Sequence, residues 1–309
     1  MTKEKLLQLY IKYKDEQKNV KDIKVLRKYN DEDINIILNS KYPFVMQEII
    51  INHEFKILKE NEKKEIIDII NNAKDEIIAQ NISRIIKSKA ILSSGLLITL
   101  AKKISNCETE SVSYATDVAL NLEVLLNKNG LKLIEIVGSS KTKGQAISSS
   151  LIAKDTYVLM NQESVELTKL ASITDGEEQR RIIHHISTNR EVLTSGMALK
   201  LAKLGGNVKC ENKAQLLITI ASDKILEQNK KTTYYLTKML LAETYEETLK
   251  IYNEAEELII NIKIGESKIK KEKSTFWDFY KHNPEKAIEL LQAHYESDEE
   301  ITIYTRIKK

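Results

Sequence analysis

The sequence predicts an all-α chain, a right-handed α-solenoid of about seven helical repeats of 33–34 residues with a cap at each end. Three observations favour this fold class. A pair of adjacent aliphatic residues recurs at a nearly constant spacing, and the apolar positions around each pair follow helical periodicity. In addition, only 2 Pro and 9 Gly interrupt 309 residues, which leaves few turn signals for an all-β fold.

The recurring aliphatic pair, which we call the anchor pair, defines the repeat length, because its first members lie 32 to 34 residues apart. The pairs are Val25-Leu26, Ile57-Leu58, Ile91-Leu92, Val124-Leu125, Val158-Leu159, Val192-Leu193, Ile225-Leu226 and Leu258-Ile259. Nine residues after each first member, an apolar or aromatic residue recurs: Ile34, Ile66, Leu100, Leu133, Leu167, Leu201 and Tyr234. Six residues before it come Ile51, Ile85, Val118, Ile152, Ile186 and Thr219. Each repeat is therefore predicted to hold a helix A after the anchor pair and a helix B before the next one.

Two polar columns predict where the helices begin. Three residues before the anchor lie Ser88, Asn121, Asp155, Asn189 and Ser222, and three after it lie Ser94, Asn127, Asn161 and Ser195. Such residues cap helix N-termini because a short side-chain oxygen accepts from the free N–H groups of the first turn. We predict that helix B ends near the first column, that a short helical turn carries the anchor pair, and that the second column starts helix A. Gly95, Gly130 and Gly196 would ease the corner.

The ends of the chain depart from the repeat. Residues 1–20 are lysine-rich and amphipathic and predict a capping helix, residues 21–260 form the array, and residues 261–309 form a C-terminal cap. Within this last region, residues 263–273 are interpreted as a loop or hairpin, and four aromatics in residues 276–280 are expected to cover the open end of the array. Residues 301–307 alternate with a period of two and predict a short strand that pairs with residues 260–270, pairs in trans, or is disordered.

The unit length and two-helix plan of residues 20–260 resemble αα-solenoids such as tetratricopeptide, HEAT and armadillo arrays. The resemblance is architectural, since the tetratricopeptide pattern of Trp, Gly, Tyr, Ala and Pro is absent. Residues 192–203 are also similar to repeats in proteins of low-GC Gram-positive bacteria, and the unit is similar in size to the DNA-reading repeats of transcription-activator-like effectors, without their Gly-Gly-Lys-Gln loop. These resemblances imply a fold with an extended binding surface and no specific activity.

Composition and motifs exclude several site types. The net charge is only +3, no secretory signal is visible, and no uncharged apolar run reaches the roughly 18 residues of a membrane span. Cys107 and Cys210 are expected to be free thiols of a cytoplasmic protein, and residues 138–144 are interpreted as an A–B loop rather than a phosphate loop. His184 and His185 point about 100° apart on a helix, so we expect one partly buried and one exposed ring and no metal or cofactor.

One column varies beside the constrained ones. Seven residues before the anchor lie Arg84, Asp117, Leu151, His185 and Ile218. Variable positions beside a fixed framework are where repeat proteins often place recognition residues, so these five are the predicted partner-binding residues.

Three functional hypotheses follow from this reading. The first is a non-catalytic scaffold that binds a protein or peptide on the concave face of the solenoid. The second is nucleic-acid binding, motivated by 48 Lys and Arg residues and lysine-rich ends. The third is a helical-repeat enzyme acting on a base or nucleotide, for which Trp277 and Asp278 are the only local candidates.

Overall fold

The computed structural model describes residues 29–282, and it describes side chains for residues 29–265. Within this range every regular element is a helix, which confirms the all-α prediction. The first ten are α1 (Asp31–Asn39), α2 (Pro43–Ile50), α3 (His53–Lys56), α4 (Glu60–Asn71), α5 (Glu76–Ile86), α6 (Lys89–Ser94), α7 (Leu97–Ser105), α8 (Val112–Ala119), α9 (Leu122–Leu126) and α10 (Gly130–Gly138). The rest are α11 (Lys143–Lys154), α12 (Thr156–Met160), α13 (Ser164–Ile173), α14 (Glu177–Thr188), α15 (Arg190–Thr194), α16 (Ala198–Gly205), α17 (Glu211–Ser222), α18 (Lys224–Gln228), α19 (Thr232–Leu241) and α20 (Tyr245–His282).

The helices follow one another in a constant order. An A helix (α1, α4, α7, α10, α13, α16, α19) precedes a B helix (α2, α5, α8, α11, α14, α17, α20). A short helix (α3, α6, α9, α12, α15, α18) separates each B helix from the next A helix. The short helices from α6 to α18 are the predicted helical turns that carry the anchor pair.

Helices of one kind pack against each other in neighbouring units. Each B helix contacts the next B helix from α2 to α20, and each A helix contacts the next from α4 to α19. The short helices α9, α12, α15 and α18 also contact one another in succession. From α5 onward, each B helix additionally packs against the A helix that follows it.

The A helices bury one face through four equivalent positions. In α7 these are Leu97, Leu100, Ala101 and Ile104, whose spacing places them on the same side of the helix. The same spacing is buried in α10, α13, α16 and α19. A helix of this length is marginal in water on its own, so the buried face is what stabilises it.

The predicted anchor register is correct in the middle of the chain. Ile91, Val124, Val158 and Val192 are all fully buried in their short helices. The apolar column nine residues later is also buried from Ile34 to Leu201. The periodicity of the sequence therefore corresponds to a periodicity of burial in these units.

The register slips by one residue in the last short helix. In α18 the fully buried residue is Leu226, one residue after the predicted Ile225. Accordingly, Tyr235 is buried and Tyr234 exposed, and Ile220 is buried where Thr219 was predicted. Thr219 was the one polar member of its column, and that exception already indicated the shift.

The register also slips in the first short helix. The buried apolar side chain of α3 is Phe55, whereas the predicted anchor residue Ile57 is 64% exposed and follows the end of the helix. Ile49, not Ile51, then takes the buried position six residues earlier. The aromatic ring of Phe55 can replace an aliphatic anchor because both are large and apolar.

The first polar column is confirmed in four of five units. Side-chain oxygens of the capping residues accept backbone N–H groups in the first turn of the short helix: Ser88, Asn121, Asp155 and Asn189. In the last unit the cap is Asp223 and not Ser222, consistent with the one-residue slip. The capping residue thus identifies the correct register even in the last unit, where the aliphatic pair does not.

The side-chain oxygens of the second polar column accept hydrogen bonds just before helix A begins, rather than in its first turn as predicted. Each side-chain oxygen accepts from the backbone N–H two residues later, and the pairs are Ser94 with Leu96, Asn127 with Asn129, Asn161 with Glu163, and Ser195 with Met197. The A helices begin only after these acceptor turns. The column therefore holds the corner between short helix and A helix, and the prediction that it caps helix A is wrong.

The three corner glycines have two different roles. Gly95 and Gly196 have φ of 70°, a left-handed conformation that favours glycine, as predicted. Gly130 does not have a positive φ and instead begins α10, where an added Cβ would collide with the carbonyl oxygen of Val124. Gly130 is thus required by the close approach of α10 to α9.

The C-terminal prediction needs one correction. Residues 263–273, interpreted as a loop or hairpin, lie inside the continuous helix α20. Buried Ala255 stands three residues before the Leu258-Ile259 pair, where other units have a capping residue, so no side chain competes for the backbone N–H groups there. Residues 1–28 and 283–309, with the predicted N-terminal cap and strand, lie outside the described residues, as do the aromatic side chains of residues 276–280.

Among the helices that the structure describes, none combines the length and apolar character needed to cross a bilayer.

Candidate functional site

Four of the five predicted partner-binding residues lie at solvent-accessible positions of successive B helices. Arg84 and Leu151 are exposed, and Asp117 and His185 are partly exposed. Nη2 of Arg84 lies 2.6 Å from Oδ1 of Asp117, which links α5 to α8. We call the positions seven residues before the buried anchor residue the B stripe.

Ile218 does not belong to the B stripe. Its side chain is 6% exposed and packs in the core, so its predicted surface position is wrong. The reason is the one-residue slip of the last unit, which places exposed Thr219 at the equivalent position. The B stripe therefore runs through Arg84, Asp117, Leu151, His185 and Thr219.

The apolar part of the B stripe is small. Ile147 lies one turn before Leu151 on α11, and both side chains are exposed. The ion pair of Arg84 with Asp117 lies on one side, and the half-buried His184 and His185 lie on the other. The stripe is thus largely polar, and part of its charge is neutralised within the protein.

The two histidines are both partly buried, so the expectation that one is exposed is wrong. Their ring centroids lie 5.0 Å apart with a tilt of 60°. Burial lowers the pKa of His184 to about 4, and burial together with the Arg181 charge lowers the pKa of His185. Nδ1 of His184 is buried without a hydrogen-bond partner among the described residues. Neutral rings are therefore expected at pH 7.

The described residues contain no cluster of three or more His, Cys, Asp or Glu side chains suited to a metal ion. Both cysteines are free, as predicted, with Cys107 buried and Cys210 exposed. Burial raises the pKa of Cys107 to about 12, so this thiol is protonated and unreactive at neutral pH.

Residues 138–144 contain the connection from α10 to α11, residues 139–142, which agrees with the predicted A–B loop. The carbonyl oxygen of Gly138 accepts from Oγ of Ser111 at 2.6 Å and from the backbone N–H of Glu108 at 2.9 Å. Thr142 and Gln145 form a reciprocal cap at the start of α11. The loop is thus held by the preceding A–B loop and by its own helix cap.

A second surface, which sequence reasoning missed, lies on the short helices α9 and α12. Each helix buries its anchor pair and turns other large apolar side chains towards solvent. These are Leu122 (55% exposed), Leu126 (75%), Tyr157 (39%) and Met160 (70%), which together we call the ridge patch. Exposed apolar side chains are individually common, but these four lie on two short helices that contact each other.

Hydrogen bonds at both ends hold α9 against α12. Oγ1 of Thr156 donates to Oε2 of Glu123 at 2.7 Å, and Nδ2 of Asn127 donates to the carbonyl oxygen of Leu159 at 2.9 Å. Leu126 and Met160 each follow the buried anchor residue by two positions, so they occupy equivalent places on the two helices. The ridge patch is therefore presented on a fixed backbone.

The ridge patch continues into a charged cleft. The guanidinium carbon of Arg190 lies 3.8 Å from the ring centroid of Tyr157, a cation–π contact. Arg190 also lines an open cleft of about 710 Å³ on α15 and α18, together with Lys224 and Lys230. We call this cleft the basic cleft. Arg190 and Tyr157 connect it to the ridge patch.

The acidic side chains of the basic cleft are engaged by the protein itself. Oε2 of Glu191 accepts from the backbone N–H of Thr233 at 2.8 Å. Glu227 accepts from the backbone N–H of Arg190 at 2.8 Å and from Nζ of Lys224 at 2.7 Å. Glu227 is thus paired with Lys224, while Arg190 and Lys230 have no ion pair within the described part of the chain.

A signal for the ridge patch was present in the sequence. The positions two before and two after the buried anchor residue are both polar or charged in three of the six short-helix units: Lys89 and Ser93, Arg190 and Thr194, Lys224 and Gln228. Ile57 is an isolated exception in the first unit. Leu122, Leu126 and Met160 break this pattern in two adjacent units. This exception is hard to detect in the sequence, because the exposed residues lie in the same apolar run as the buried anchor pair.

Solvent-exposed positions of the A helices carry charges of both signs. Eleven residues after the anchor come Lys102, Glu135, Lys169 and Lys203, and eight after it come Lys132, Glu166 and Lys200. Lys102 pairs with Glu65 at 2.6 Å, and Lys103 with Glu135 at 2.7 Å. Glu135 and Glu166 thus interrupt the lysines of these two columns.

Comparison with protein-family models, characterised proteins and solved structures finds no match to this chain.

Proposed function

We propose that this chain is a solenoid of about seven repeats that acts as a non-catalytic scaffold for another protein. Three sets of contacts between neighbouring units support the solenoid: A helices pack against A helices, B helices against B helices, and short helices against short helices. Repeat arrays of this type grow along one direction and present extended surfaces rather than a single deep pocket.

The observation that carries the proposal is the ridge patch. Leu126 and Met160 are largely exposed although α9 and α12 are firmly packed on their other side. Interfaces are typically anchored by a few large side chains of this kind, which release ordered water when a partner covers them. The proposal thus places the main contact on the short helices, and binding through the B stripe remains a separate prediction.

Protein binding is better supported than nucleic-acid binding. A nucleic-acid track needs a run of cations aligned with the phosphates, and Glu135 and Glu166 interrupt the lysine columns of the A helices. A large apolar patch has no counterpart on a phosphate backbone, whereas it matches the apolar core of a protein interface. The enzyme hypothesis rests on Trp277 and Asp278, whose side chains lie outside the described set.

The test is comparative capture with a matched control. The full chain is cross-linked in a lysate of the source organism, and captured proteins are quantified for wild type and for Leu126→Ser/Met160→Ser. A second variant, Ile173→Ser/Leu241→Ser, removes two equally exposed apolar side chains elsewhere. The free energy of unfolding of both variants should lie within about 0.5 kcal/mol of the wild-type value, because surface substitutions rarely change it by more.

We expect at least one protein that wild type and the control capture and the ridge variant loses. Equal capture by all three chains would contradict the proposal. Capture that disappears after nuclease treatment or at high salt would instead support the nucleic-acid alternative.

A further inference from the structure

We infer that Met160 is a modification site, at which a peroxide oxidises the thioether to a sulfoxide and thereby weakens partner binding through the ridge patch. The oxidation step rests on the burial of the methionines, and its effect on binding rests on the proposed function. Three observations support the inference: the exposure of Met160, the residue types at equivalent positions, and its place in the ridge patch.

Met160 is the most exposed of the described methionines. It is 70% exposed, whereas Met46 and Met239 are fully buried and Met197 is partly buried. The fifth methionine, Met1, lies outside the described residues. An oxidant must reach the sulfur atom, so an accessible thioether reacts readily and a buried one reacts only when the fold opens.

The oxidation needs no catalytic group of the protein. A lone pair of the Met160 sulfur attacks one oxygen of hydrogen peroxide, so an S–O bond forms and the O–O bond breaks. The oxygen that leaves takes the proton of the transferred oxygen and departs as water. Sulfur is oxidised by two electrons and peroxide is reduced by two, and the product is a sulfoxide that methionine sulfoxide reductases return to the thioether.

The fold tolerates a polar side chain at this position. Met160 lies two residues after the buried anchor residue Val158. The equivalent positions of three other units carry exposed polar residues, namely Ser93, Thr194 and Gln228. Val158 and Leu159 hold α12 in the core, and Asp155 caps its first turn. We therefore expect the sulfoxide to leave the folded structure intact and to alter only the surface.

The surface that changes is the centre of the proposed contact. Met160 and Leu126 occupy equivalent places on two short helices that contact each other, and they are the two most exposed side chains of the ridge patch. A sulfoxide carries a polar S–O group, and a partner that covers it must remove the water bound to that oxygen. Oxidation of Met160 should therefore weaken a partner that buries both side chains.

The experiment uses the full chain with Cys210→Ser as the background, because Cys210 is an exposed thiol that peroxide also attacks. Cys107 is retained, since burial raises its pKa to about 12 and keeps the thiol protonated. Three chains are compared: the background itself, Met160→Leu, which cannot form a sulfoxide, and Met160→Gln, which carries the residue type of Gln228. Each chain is treated with hydrogen peroxide for increasing times, and peptide mass mapping follows the gain of one oxygen at every methionine.

In the background chain, Met160 should be oxidised about tenfold or more faster than Met46 and Met239, with Met197 between them. The urea midpoint of the chain oxidised at Met160 should equal that of the untreated chain. Oxidation of Met160 no faster than that of the two buried methionines, or a lowered urea midpoint, would overturn the inference.

The effect on binding is measured by the capture experiment, with peroxide removed before the lysate is added. Proteins whose capture depends on the ridge patch should fall about tenfold for the oxidised background chain and for Met160→Gln, because one buried apolar contact is lost. A methionine sulfoxide reductase should restore capture by the oxidised chain. Met160→Leu should capture these proteins with or without peroxide. Loss of capture by peroxide-treated Met160→Leu, or full capture by Met160→Gln, would contradict the inference.

Failure of the inference and failure of the proposed function give different results. If Leu126→Ser/Met160→Ser captures the same proteins as wild type, the proposed function fails, and the effect of oxidation on binding fails with it. If capture depends on the ridge patch but persists after complete oxidation of Met160, the proposed function stands and the inference is wrong.

Discussion

The B stripe and the ridge patch cross the same units of the molecule but treat their exposed side chains differently. On the B stripe, Arg84 of one unit pairs with Asp117 of the next, and the two histidines are half withdrawn from solvent. On the ridge, the backbones of α9 and α12 are tied together while Leu126 and Met160 face solvent. The B stripe thus pairs part of its charge within the protein, and the ridge leaves apolar surface for another molecule to cover.

This difference separates the residues that stabilise the fold from the exposed residues that we propose contact a partner. Buried anchors, capping residues and a close glycine hold the short helices in place, so the exposed side chains contribute little to folding. The following predictions test that separation, beginning with the support beneath the ridge and ending with the surface of the B stripe.

The largest effect is expected from Gly130→Ala. An added Cβ would collide with the carbonyl oxygen of Val124, so α10 would have to move away from α9. We expect the free energy of unfolding to fall by about 3 kcal/mol, as for overpacking against an unyielding backbone. Urea denaturation of the full chain measures this change.

Gly95→Ala is the control for that variant. Gly95 has φ of 70° with no atom near the added Cβ, so the cost is conformational and should be about 1 kcal/mol. If both substitutions cost the same, the close approach at Gly130 does not support the ridge.

The second effect compares equivalent asparagines of adjacent units. Asn127 accepts from the N–H of Asn129 and also donates to Leu159 across the ridge, whereas Asn161 makes the local bond to Glu163. We expect Asn127→Ala to cost about 2 kcal/mol and Asn161→Ala about 1 kcal/mol, because only the first leaves a carbonyl of the neighbouring unit unpaired. The reverse order in urea denaturation would show that the bond between units does not hold the ridge.

The third effect is a pH dependence on the side of the B stripe. Burial lowers the pKa of His184 from 6.5 to about 4, so the unfolded chain binds this proton more readily than the folded one. Stability is therefore complete above about pH 6.5 and is lost as the pH falls towards 4, by about 2 kcal/mol between pH 7 and pH 5. The free energy of unfolding measured at these two pH values should show this slope.

His184→Gln should remove most of that slope. The remainder would belong to His185, whose pKa is also lowered. A slope unchanged by the substitution would mean that other groups cause the acid sensitivity.

The smallest effect is expected for the ion pair of the B stripe. Arg84 and Asp117 are each nearly half exposed, and solvent screens such pairs strongly. A double-mutant cycle with Arg84→Ala and Asp117→Ala should give a coupling energy below about 1 kcal/mol. A larger value would make the B stripe a structural element and weaken its contrast with the ridge.

Much of the architecture followed from local features of the sequence. Apolar spacing predicted the helical class, and Ser88, Asn121, Asp155 and Asn189 predicted where the short helices begin. These predictions succeed because helical periodicity and capping involve residues within one or two turns of each other.

Predictions failed where the local sequence pattern was compatible with two different structures. The aliphatic pair Ile225-Leu226 allows either residue to be the buried one, and packing against neighbouring helices selects Leu226. The same choice buries Ile218 and removes it from the predicted binding column. Likewise, the lysines of residues 263–273 suggested a loop, but without a capping residue near Ala255 the helix α20 continues.

The sequence by itself determined that this chain forms short amphipathic helices in a repeating order, since that information lies in the spacing of neighbouring residues. The tertiary structure alone decided which of the aliphatic residues face inward, and so showed that Leu122, Leu126 and Met160 face solvent. The physical reason is that hydrophobicity predicts a tendency to be buried, whereas actual burial depends on how much apolar surface the neighbouring helices can cover.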